Sequence, residues 1–104
     1  MAIVEKRVFF AKVGKADELV ETLPEGDTIL NRHGLSMKTR IMPDYHSGRS
    51  DRVQAEWTFE QVSDMDSEFQ VVAQNPAAAA DMGPWMGRLN DLIHYSEAEL
   101  WQER

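Results

Sequence analysis

The segment "IVEKRVFFAKV" (3–13) is rich in Val, Ile and Phe and reads as a strand. Val4, Val8 and Phe10 share one phase of it, and Glu5, Arg7 and Phe9 the other. After Gly14, "KADELVETL" turns to helical spacing, with Leu19, Val20 and Leu23 on one side. Pro24 and Gly26 are expected to interrupt that helix. "DTILNRHG" then forms a second short helical turn, with Asp27 as N-cap and Gly34 just past the end. "LSMKTRIM" (35–42) is a second strand, with Met37, Thr39 and Ile41 set against Lys38, Arg40 and Met42. The turn formers of "PDYHSGRSD" make a hairpin loop. "DRVQAEWTFEQ" (51–61) returns antiparallel as a third strand, placing Val53, Ala55, Trp57 and Phe59 opposite in phase to Arg52, Gln54, Glu56 and Thr58.

"SDMDSEFQVVAQ" is a helix, with Ser63 as its cap and Met65, Phe69 and Val72 on one face. Asn75-Pro76 reads as a cap followed by Pro at the first helical position. Gly83-Pro84 is expected to break the run before Trp85, Leu89 and Leu92 restart it, and "HYSEAELWQ" is the last strand. The order β-α-β-β-α-β predicts one α+β domain over residues 1–104, a four-stranded antiparallel sheet with helices on one face, in the ferredoxin-like arrangement.

Helices cover only one face of such a sheet. The expected covered set is Val4, Val8, Phe10, Met37, Ile41, Val53, Ala55, Trp57 and Phe59. The other face then carries Glu5, Arg7, Phe9, Lys38, Arg40, Met42, Gln54, Glu56 and Thr58, neither apolar enough for a second core nor as charged as a plain wet surface. Trp101 is costly to leave exposed, so a second subunit or the first helix is expected to cover it.

Composition narrows the partners. A formal charge of −7 with no Lys/Arg cluster disfavours nucleic acid and anionic membranes. The absence of cysteine excludes disulfides, thiolate zinc sites and a Cys nucleophile. "MAIVEKRVFF" does not read as a signal peptide, no apolar run approaches a membrane span, and the cytoplasm is the expected compartment.

No nucleophile elbow, zincin motif, phosphate loop or dinucleotide fingerprint is present, and no histidine pair has metal-ligand spacing, so neither metal nor cofactor is expected. Single residues remain. Glu56 with Arg40 or Arg7 forms either a cross-strand bridge that fixes register or an enclosed pair in which Glu56 is a general base and an Arg stabilises an enolate. His46, beside Tyr45 in the hairpin loop, is a solvated loop residue or an acid/base at a cavity mouth. His94 is a half-buried structural histidine or reaches a pocket between sheet and helices, and His33 complements a helix C-terminus. Arg7, Phe9, Met42, Tyr45 and His94 are the expected ligand contacts, with Glu56, His46 and Arg40 as the expected catalytic set. Trp57 and Trp85 read as core anchors.

The element order, the segment "VQAEWTFEQVSDMDSEFQVVAQNP" and the C-terminal "LIHYSEAELWQ" resemble the dimeric α/β-barrel superfamily, most closely its NIPSNAP-like and antibiotic-biosynthesis-monooxygenase-like members. The resemblance covers residues 3–101. It implies a homodimer whose two sheets enclose a chamber, and a small-molecule ligand. The implied activity is oxygenation of an aromatic or polyketide-like substrate without metal or flavin, with a non-catalytic binding or interaction module as the alternative. Haem-degrading members carry an Asn on the first strand; "IVEKRVFFAKV" has none, which argues against that activity.

Overall fold

The computed structural model describes residues 2–44 and 51–104. Its elements are β1 (Ile3–Ala11), α1 (Ala16–Arg32), β2 (Arg40–Pro43), β3 (Arg52–Phe59), α2 (Val62–Gln74), α3 (Pro76–Leu92) and β4 (Ile93–Gln102). The strands form one antiparallel sheet in the order β2-β3-β1-β4. The helices lie on one face, so the architecture is the expected ferredoxin-like α+β fold.

The strand register corrects the phase expected for β1. Arg7 lies opposite Ala55 and Phe9 opposite Val53, while Val8 faces Gln54 and Phe10 faces Arg52. Directly opposed residues share a face. Glu5, Arg7 and Phe9 therefore lie under the helices, and Val4, Lys6, Val8 and Phe10 on the open face. Both phases of β1 are partly apolar, and the charges in one of them had pointed outward. Those charges are instead paired: Arg7 Nη2 donates to Glu5 Oε1 at 3.3 Å, and Glu5 is only 4% exposed.

α1 is continuous through Pro24 and Gly26, against the expected interruption. Its buried residues Leu19, Thr22, Leu23, Gly26 and Ile29 recur at helical spacing, so breaking the helix would unseat this face from the core. Gly26 marks a close approach: a Cβ there would lie 2.6 Å from the Trp85 ring. The Trp85 indole N–H donates to the Thr22 carbonyl at 2.8 Å, making Trp85 the expected core anchor. Asp27 is therefore mid-helix rather than a cap.

β2 is shorter than expected because residues 35–39 spend their backbone groups on α1. The Thr39 N–H and Oγ1 donate to the two Asp27 carboxylate oxygens at 2.7 and 2.6 Å. The Met37 N–H donates to Asn31 Oδ1 at 2.7 Å, and Asn31 Nδ2 donates to the Met37 carbonyl at 3.2 Å. The alternation survives, with Leu35, Met37 and Thr39 half-buried and Ser36 and Lys38 exposed.

Gln61, not Ser63, caps α2, through a reciprocal box with Asp64. Asn75 caps α3 as expected, its side chain accepting from the Ala77 and Ala78 N–H groups. Gly83-Pro84 does not break α3. Ala78, Trp85, Leu89 and Leu92 form one buried stripe across the pair, and Gly83 and Pro84 sit on the exposed side. Trp101 is not covered by α1: it faces Val4 on the open face and is 57% exposed.

Candidate functional site

Between sheet and helices lies a cavity of about 240 Å³. Its floor is Arg7, Phe9, Ala55, Trp57 and Phe59; its walls are Leu23, Gly26, Asp27 and Leu30 of α1, Leu35, Met37 and Thr39 of the segment clasped to α1, Glu68, Phe69 and Val72 of α2, and Met82, Trp85, Met86 and Leu89 of α3. Two larger grooves, of about 640 and 370 Å³, are more open and carry no unpartnered buried side-chain atom. Lining chemistry, not volume, singles out the smaller cavity.

Three of its residues carry buried polar atoms without a partner: Arg7 Nε, Trp57 Nε1 and Glu68 Oε2. Burial, reinforced by the Asp64 carboxylate one helical turn away, raises the Glu68 pKa above its ordinary value. Among the described residues one further buried side-chain atom lacks a partner, Glu5 Oε2, which belongs to the carboxylate that neutralises Arg7. With the Asp27 carboxylate occupied by Thr39, a largely apolar chamber bordered by Arg7, Trp57 and the Glu68 carboxyl can orient a molecule bearing an oxygen acceptor and an acidic proton.

A smaller recess of about 170 Å³ adjoins it, sharing Met37, Trp57, Phe59 and Glu68 and adding Lys38, Arg40 and Glu56. Glu56 and Arg40 are directly opposed across β2 and β3, as the strand pattern implied, but Glu56 Oε2 accepts from Gln54 Nε2 at 3.0 Å. The structure thus divides the expected site residues. Arg7 and Phe9 line the cavity, Glu56 and Arg40 line the recess, and Met42 stands on the open face opposite Gln54. His94 is exposed where the β1–β4 register shifts between Phe10 and Ala11. Tyr45 and His46 lie outside the described residues. His33 Nε2 is 2.7 Å from Asp81 Oδ2, a bridge from the end of α1 to α3.

Glu68 and Trp57 were not among the expected site residues. For Glu68 a signal existed: it falls between Met65 and Val72 at helical spacing, so a carboxylate interrupts the edge of the apolar stripe. Trp57 read as core because its strand phase is apolar; that its ring borders empty space depends on the helix positions. Among the described residues no group of three His, Cys, Asp or Glu is placed to hold a metal ion, and no helix is long and apolar enough to cross a membrane.

No family model matches this chain, and no curated protein does. Solved structures do. The fold is similar to a NIPSNAP family protein from Agrobacterium tumefaciens at 22% identity and TM-score 0.71, covering 99% of this chain and 86% of that one. It is similar to SnoaB, a cofactor-independent oxygenase from Streptomyces nogalater, at 14% identity and TM-score 0.67, covering 99% and 93%. An antibiotic-biosynthesis-monooxygenase-like protein from Bordetella bronchiseptica is similar at 12% identity and TM-score 0.72, covering 99% and 97%. At such identities the likeness establishes the fold alone, the ferredoxin-like α+β arrangement.

Proposed function

We propose that the cavity between sheet and helices binds a compact aromatic molecule carrying a weakly acidic hydroxyl, and that Glu68 takes its proton. The supporting observation is that three residues lining one chamber, Arg7, Trp57 and Glu68, each carry a buried polar atom without a partner. An unsatisfied buried polar group costs roughly 1–3 kcal/mol, so a ligand that partners all three gains affinity and a fixed orientation. A cavity of about 150 Å³ holds benzene, which makes about 240 Å³ suited to one or two fused rings. Tetracyclic molecules exceed it.

The likeness in fold to a cofactor-independent oxygenase favours reaction of the deprotonated ligand with dioxygen. With 1-naphthol as the probe, Glu68 accepts the hydroxyl proton and the anion's charge reaches the para carbon. Attack of that carbon on O2, loss of its hydrogen and cleavage of the O–O bond give 1,4-naphthoquinone and one water from one O2. Arg7 and Trp57 stabilise the ligand oxyanion. Glu56, beside Arg40 in the adjoining recess, is the second candidate base. The other reading, binding without turnover, uses the same cavity.

The test is a 1-naphthol titration followed by an oxygen electrode and quinone absorbance, in wild type, Glu68→Gln and Glu56→Gln. The expected result is binding in all three and a turnover loss on the order of 10²-fold or more in Glu68→Gln alone. The same loss confined to Glu56→Gln moves the base to the recess. Binding without oxygen uptake in wild type leaves the non-catalytic reading, and no binding ends both.

We also propose that a second copy of the chain covers the open face. Phe10 stacks on Tyr95 at one end of it at a centroid distance of 4.5 Å, Val4 and Trp101 pair at the other end, and the Lys6–Glu99 pair lies between. Exposed aromatic groups at both ends of an unpartnered sheet face suit a two-fold contact in which each end meets its counterpart on the second copy.

A further inference from the structure

Resting on the cavity reading above, we infer that α2 is a lid that pivots at its two ends to admit the ligand and returns over it with Glu68 in the cavity wall.

The three helices are held very differently. α1 and α3 are tied by the Trp85–Thr22 hydrogen bond, the Arg88–Glu25 ion pair and the His33–Asp81 contact, and each buries a stripe of side chains. α1 is further clasped to the approach of β2 by Asp27 and Asn31. None of the 13 residues of α2 is buried. Among the described residues, its side chains make hydrogen bonds only within the helix and its cap, Ser67 to the Ser63 carbonyl and Asp64 with Gln61. What holds α2 down is apolar contact by half-buried Met65 and Val72 and by Phe69, which lines the cavity yet is 54% exposed. A segment with few buried apolar groups and no polar tie opens at a small fraction of the global unfolding free energy.

The ends suit a pivot. Gln61 and Asn75 both have extended backbone, so α2 is a separate rod joined to β3 by Glu60 and Gln61 and to α3 by Asn75 alone. Asn75 serves both helices: its backbone N–H donates to the Val72 carbonyl at the end of α2 at 3.4 Å, while its side chain caps α3, so α3 keeps its N-terminal hydrogen bonds when α2 swings. Occupancy drives closure, because a ligand gives Phe69 and Val72 the apolar contact they lack in the empty cavity. Closure excludes water and holds the Glu68 carboxyl against the bound ligand.

Hydrogen exchange of the full chain, free and with saturating 1-naphthol, tests this, with binding read separately by tryptophan fluorescence. In the free protein the amides of 62–74 are expected to exchange at least about tenfold faster than those of 16–32 and 76–92, and to slow at least about tenfold on binding. Free-state exchange as slow in α2 as in α3 overturns the lid and leaves the cavity reading standing. So does binding that leaves α2 exchange unchanged, since the helix is then merely frayed. Absence of 1-naphthol binding removes the cavity reading and the lid with it.

Discussion

Glu68 is the residue on which chemistry and stability meet. Burial and the Asp64 carboxylate raise its pKa in the folded protein, so between the unfolded and folded values the native state holds more protons than the unfolded chain. Its contribution is therefore fully favourable below the unfolded pKa and is lost as pH rises through the folded one. Urea unfolding across pH 3–8 (about the acid-to-neutral range over which carboxylates titrate) is expected to show a destabilising slope that Glu68→Gln reduces, leaving the variant at least as stable as wild type at neutral pH. An unchanged slope removes the raised pKa. At Gly26 the argument is steric: a methyl 2.6 Å from the Trp85 ring forces the helix or the indole to move. Gly26→Ala is expected to destabilise by roughly 1–3 kcal/mol, checked by denaturant midpoint, although Ala is the better helix former.

At the level of elements, most of the fold was legible and the errors share a cause. Strand three, the Asn75-Pro76 cap and the element order follow from local pattern. Pro24, Gly26, Gly83 and Pro84 suggested breaks because isolated helices tolerate them poorly, but α1 and α3 hold together through the stripes they bury against the sheet and each other. Tertiary packing outweighed local propensity. Gly83→Ala discriminates directly: in a continuous exposed helix with nothing within 4 Å of the new Cβ, it is expected to stabilise by about 0.5–1 kcal/mol. A loss of stability would mean that the glycine serves a real break. The phase of β1 was illegible for a different reason. A buried Glu5–Arg7 pair looks in sequence like a solvent face, and only the register with β3 reveals it. The same inversion carried Arg7 and Phe9 from the open face into the cavity, away from Met42. Glu56 and Arg40 remained together because both lie on strands whose phase was read correctly.

At the scale of the whole molecule, two surfaces compete for the role of binding site: the chamber under the helices and the open face of the sheet. Coverage of the open face by a second copy predicts a dimer by sedimentation, and replacing exposed Trp101 by Glu is expected to weaken that dimer at least about tenfold while sparing the fold. A wild-type monomer at micromolar concentration would contradict it. The chain carries its own reporters for choosing between the surfaces. Its three tryptophans sit in three places: Trp57 in the cavity with its indole N–H unpartnered, Trp85 anchored to the Thr22 carbonyl, and Trp101 on the open face with its N–H donated to Glu99 Oε2 at 2.9 Å. The most direct measurement is an NMR titration of the three indole N–H resonances with 1-naphthol. The cavity account predicts a large, saturable shift of the Trp57 signal, a smaller one for Trp85 and none for Trp101; a shift of Trp101 with Trp57 unmoved would contradict it and place the ligand on the open face.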